Sequence, residues 1–132
     1  MNRLRFIFVL ISIPAIVSIA NAQAITFCKS VDKEGHAVNA AKEFTLSGSS
    51  ARIVFLLQFG SVRPALVSYD LYKLENGKEV FSSTLKQSPE PGKNWLSKEV
   101  TLYDVATYRV YAFDDKDKVL GKSEFTLKPS PK

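Results

Sequence analysis

Apolar runs of strand length return along this chain about every ten residues, with turn-forming residues between them. They span residues 24–28, 44–46, 52–59, 66–74, 79–85, 97–103, 107–113 and 119–127. Ser47-Gly48-Ser49-Ser50, Glu75-Asn76-Gly77-Lys78 and Ser88-Pro89-Glu90-Pro91-Gly92 mark breaks. Asn-Gly is the strongest of these signals, because both residues tolerate the positive φ angles of a two-residue hairpin turn. No stretch keeps an apolar period near 3.6 residues long enough for a helix. The pattern predicts an all-β chain, an antiparallel sandwich of seven or eight strands over residues 23–128, with 129–132 as a flexible tail.

The first 22 residues read differently. Arg3 and Arg5 precede an apolar run from Phe6 to Ile19, and Ala20-Asn21-Ala22 follows. A charged start, a short apolar run and small residues at the cleavage positions are the parts of a secretory signal peptide. The run is shorter than the ~20 residues that span a bilayer. The expected mature chain starts at Gln23 and works in the periplasm or outside the cell, with no membrane insertion after cleavage. Without Arg3 and Arg5, 16 basic residues face 13 acidic ones. The lysines are interleaved with acids, as in Lys116-Asp117-Lys118, so no basic stripe invites a nucleic acid.

One cysteine excludes an internal disulfide framework and any multi-cysteine metal site. Cys28 has three readings: a lipidation site after the signal, an intermolecular cross-link, or a buried strand residue. Phe27 before it departs from the small residue of lipoprotein signals, and burial is the favoured reading. No nucleophile elbow, zinc-protease or phosphate-loop motif is present. His36 is a lone histidine in a polar stretch. Asp114, Asp115 and Asp117 could offer oxygens to calcium but lack the EF-hand pattern, and acids favour turns in any case. The expectation is no enzyme, no cofactor and no metal.

The segment Asp104-Val105-Ala106-Thr107-Tyr108-Arg109-Val110 carries the most specific spacing. Asp-x-Ala-x-Tyr-x-Val resembles the tyrosine corner of immunoglobulin-like and fibronectin-type-III-like domains. The resemblance implies that Asp104 and Ala106 shape a corner and that the Tyr108 hydroxyl bonds back to it. Val110 stands where antibody domains have a cysteine. Trp95 precedes the 97–103 strand, so it is not their core tryptophan.

Alternation along the 107–113 strand turns Arg109, Tyr111 and Phe113 away from the core if Tyr108 points in. On the 66–74 strand the same rule turns Asp70 and Tyr72 outward. These five residues are expected to form an exposed aromatic strip that recognises another protein, with Trp95 as a loop anchor or a further platform. A carbohydrate- or envelope-binding module and a small periplasmic inhibitor or accessory subunit are the alternatives. A monomer or weak homodimer is expected. Val54 and Leu56, apolar on the far face of their strand, need cover from residues 29–42 or form a second sticky patch.

Overall fold

A computed structural model describes residues 24–59 and 63–131. The expected signal peptide, residues 1–22, and Gln23 lie outside them. Every regular element among the described residues is a strand: β1 (Thr26–Cys28), β2 (Ser30–Val31), β3 (Ala37–Val38), β4 (Glu43–Thr45), β5 (Ala51–Gln58), β6 (Val67–Glu75), β7 (Lys78–Gln87), β8 (Trp95–Leu102), β9 (Ala106–Phe113) and β10 (Val119–Lys128). The all-β expectation holds. Two strands beyond the expected eight come from the polar stretch after Cys28, where β2 and β3 pair as a short ribbon.

A three-stranded sheet has the order β1-β5-β8, and a five-stranded sheet the order β4-β10-β9-β6-β7. The second sheet is mixed, a correction to the antiparallel expectation, because β4 runs parallel to β10. Bonds from Thr126 N to Lys42 O and from Leu46 N to Lys128 O hold β4 there. The chain has to cross from β1 to β5 in the smaller sheet, and on the way it lies beside the last strand. The β6–β7 turn follows its sequence: Asn76 and Gly77 both have positive φ, the type I′ geometry.

Period-two alternation builds the core. Ile53, Phe55 and Leu57 from β5 meet Tyr69 and Leu71 from β6, Tyr108 and Val110 from β9, and Phe125 and Leu127 from β10. The rings interlock: Phe27 lies 4.7 Å from Phe125 and 5.2 Å from Phe55, and Tyr108 stacks on Phe125 at 5.2 Å. Buried Ser123 accepts the Ile25 N–H at 3.0 Å and ties the start of β1 to β10.

The bond that the resemblance implies between Tyr108 and the 104–106 segment is present. The Tyr108 hydroxyl donates to the Asp104 carbonyl at 2.7 Å, and Lys73 Nζ meets the Asp104 carboxylate at 2.6 Å. Burial raises the Tyr108 pKa, and the bond to Asp104 raises that of Lys73. Tyr69 is the opposite case, a fully buried ring whose hydroxyl has no hydrogen-bond partner among the described residues.

These two tyrosines should answer the same substitution with opposite signs. Tyr108→Phe removes a made bond and strands a carbonyl, and is expected to cost about 1–3 kcal/mol. Tyr69→Phe removes an unsatisfied hydroxyl and is expected to gain about 1 kcal/mol. Denaturant melts of both variants check this, and equal losses would contradict it.

Candidate functional site

Asp70, Tyr72, Arg109, Tyr111 and Phe113 do share the outer face of the larger sheet. Register sets Asp70 opposite Tyr111 and Tyr72 opposite Arg109. The Tyr72 and Tyr111 rings meet edge to face at 5.6 Å, and Tyr111 stacks near Phe113 at 6.2 Å. The expected exposure is corrected, however: Phe113 is 1%, Tyr72 4% and Asp70 5% exposed. Alternation along a strand gives the face of a side chain, not what lies over that face.

Carboxylates from neighbouring strands occupy Arg109. Its Nη1 bonds Glu79 at 2.8 Å, and its Nε and Nη2 each reach Glu124 at 2.7 Å. The Tyr111 hydroxyl donates to the same Glu79 oxygen. Glu79, then Glu124, hold the Arg109 pKa above its usual range, while burial and then Glu79 raise that of Tyr111. Lys122 Nζ lies 5.7 Å from the centre of the Tyr111 ring. Sequence reading missed Glu79 and Glu124 because both partners come from other strands, and only the register brings them to Arg109.

Trp95 belongs elsewhere. It opens β8, opposite Gln58 on the outer face of the smaller sheet, rather than preceding the strand. Its ring covers Gly35, where an added Cβ would fall 2.4 Å from the indole, and Lys93 Nζ sits 4.6 Å from the ring centre. Gln58 Nε2 donates to the Gly35 carbonyl. The indole therefore anchors the β2–β3 ribbon, and the same ribbon resolves the cover of β5, where Leu56 is buried. His36 stands exposed in the ribbon turn beside Asp32, whose carboxylate accepts the Glu34 and His36 N–H groups. Cys28 is buried and unbridged, its Sγ 3.6 Å from the Val54 carbonyl, with its pKa raised by burial. That placement excludes a surface cross-link through Cys28 in the folded chain. Asp114 uses its carboxylate on the N–H groups of Lys116 and Lys118, as in a plain polar turn.

A feature that sequence reading took for a mere turn lies where β4 passes to β5. A cleft of about 400 Å³ is lined by Lys29, Thr45, Ser47, Ser50, Ala51, Arg52 and Glu99. Its lining includes two basic residues and three that carry hydroxyls; the Lys29 Nζ lies 5.5 Å from the centre of the Phe44 ring, and the one acid, Glu99, holds Arg52 Nη1 at 3.2 Å. Ser47 N bonds the Ser50 carbonyl at 2.7 Å and closes the turn.

No family model matches the chain, and no curated protein matches its sequence. Among solved structures, the chain is similar to superoxide reductase (neelaredoxin) from Ignicoccus hospitalis, at a TM-score of 0.44 and 7% identity over 86% of each chain. A variant of the same protein gives 0.46 and 6%, covering 91% of this chain and 90% of that one. These neighbours are enzymes by title, which runs against the expectations that the chain is a binding protein and that it is not an enzyme. The likeness is too distant to carry an activity across.

Two outcomes follow from the site geometry. Gly35, at φ +85°, leaves no room for a Cβ beneath Trp95. Gly35→Ala should therefore cost at least ~1 kcal/mol and perturb the indole fluorescence. Tyr69, Tyr108 and Tyr111 all hold their protons above the ordinary phenol range. The unfolded chain releases those protons near pH ~10, so stability is full below that point and falls as pH rises through it. Phenolate absorbance from these three should grow together with loss of the sheet signal. Complete ionisation with the sheets intact would contradict it.

Proposed function

We propose that the chain is exported and that the cleft beside Lys29 and Arg52 takes a small oxyanion, as ligand or as substrate. The observation that carries the reading is the lining. Two basic residues, Lys29 and Arg52, and three hydroxyl-bearing ones, Thr45, Ser47 and Ser50, line one cleft. A guanidinium fork matches carboxylate, sulfate or phosphate oxygens in a plane, an ammonium adds a point charge, and hydroxyls donate to the remaining oxygens. Glu99 holds the Arg52 head at 3.2 Å, on the wall of the same cleft. Export rests on the charged, apolar and small-residue pattern of residues 1–22.

The immunoglobulin-like reading of the fold is part of the proposal. It is supported by two sheets facing across one core, with β5 and β8 in one and β6, β7, β9 and β10 in the other. The Tyr108–Asp104 bond supports it as well.

Titration with phosphate, sulfate and citrate, followed by amide chemical shifts, tests the site. Saturable shifts are expected at Ser47, Ser50 and Arg52, and Arg52→Ala should weaken binding about tenfold, or ~1.4 kcal/mol. Shifts scattered over the surface, or none up to high concentration, would overturn the reading.

A further inference from the structure

We infer that the free edge of β7 pairs antiparallel with β7 of a second copy, joining two five-stranded sheets into one. Among the described residues β7 has one strand neighbour, β6, and ends the larger sheet. It is ten residues long, with Phe81 57% and Val80 43% exposed. A long edge carrying exposed apolar side chains is a template for a further strand.

The register selects the occupant. Tyr72 faces Phe81 and Leu71 faces Ser83, so Ser82 is an extra residue in a bulge. On either side of it Glu79, Phe81, Thr84 and Lys86 oppose Leu74, Tyr72, Asp70 and Ser68, which puts all four side chains on the outer face. The two-residue turn makes Glu75 and Lys78 a pair that exchanges both hydrogen bonds. Alternation from that pair, carried through the bulge, aims the N–H and C=O groups of these same four residues at the free edge.

A two-fold axis at the bulge then pairs Glu79 with Lys86 of the second copy, Val80 with Leu85, and Phe81 with Thr84. Every pair matches face with face and bonded position with bonded position, and the Glu79–Lys86 pair is opposite in charge and occurs twice. A bulge usually spoils an edge for pairing, but this one sits at the centre of the segment, so both copies carry it at the axis and the flanks stay in step. The two Phe81 rings become diagonal neighbours on one face and prolong the row of Tyr111, Tyr72 and Phe81 that the sheet already carries. Such a contact is isologous and closes at two copies. It is independent of the oxyanion reading, since the cleft lies at the β4–β5 turn.

Sedimentation velocity of the purified protein over rising concentration is the test, with three variants. The wild type should pass from monomer to dimer. Lys86→Glu sets like charges opposite Glu79 and should weaken the dimer at least tenfold, with an unchanged thermal melt at concentrations where the wild type is monomeric. Ser82→Cys, at the axis, should cross-link under a mild oxidant, while Ser49→Cys in the distant β4–β5 turn should not. Native Cys28 is buried and does not compete. A monomer at every concentration, a dimer indifferent to Lys86→Glu, or equal cross-linking at Ser82 and Ser49 would each overturn the inference; a strand from a foreign protein on this edge would appear as the first.

Discussion

The strand pair β6 and β9 has to satisfy opposite demands on its two faces, and the rest of the molecule is arranged around that. Toward the smaller sheet it presents Tyr69, Leu71, Tyr108 and Val110, all buried. Away from it stand Asp70, Tyr72, Arg109 and Tyr111, each of which carries a charge or a hydroxyl. A charge taken from water must find a partner. Arg109 finds two, Glu79 on β7 and Glu124 on β10, so the flanking strands on both sides are tied to the central pair by side chains as well as by their ladders. The inner face is closed at one end by the bond from Tyr108 to Asp104, which fixes where β9 begins.

The smaller sheet meets the same problem with other means. Its outer face carries Val54, Leu56 and Trp95, apolar or aromatic groups that three strands alone leave to solvent. The chain between β1 and β5 folds back over part of that face. Gly35 goes under the indole, and the Gln58 side chain bonds the Gly35 carbonyl. Continuing, the same excursion passes along β10 as β4 and makes the turn whose serines line the Lys29–Arg52 cleft. The cleft is thus a by-product of covering the sheet: the path that buries Leu56 and Cys28 also brings Lys29 toward the serine turn.

Strand positions, the Asn76-Gly77 hairpin and the Asp104–Tyr108 corner were legible in the sequence because each depends on neighbours along the chain. Side-chain alternation, positive φ and a four-residue reach are local properties. For the same reason the five outer-face residues of β6 and β9 were correctly grouped. Their burial was not legible, nor were Glu79 and Glu124, since cover and cross-strand partners depend on which strands become neighbours. Trp95 was misplaced by two residues relative to its strand, and that small error hid the fact that it stands on the other sheet from Tyr72 and Tyr111.

The sequence by itself determined an all-β chain, the period-two division of each strand into two faces, and the one tight turn that sets the β6–β7 register at its start. Those follow from sterics and hydrophobic patterning within a few residues. Only the tertiary structure decided that β4 runs parallel to β10, that Arg109 is shared between two carboxylates, that Ser82 bulges at the midpoint of a free edge, and that Lys29 and Arg52 face one cleft. Each of these joins residues far apart in the chain, and such meetings are selected by packing of the whole core rather than by any segment within it.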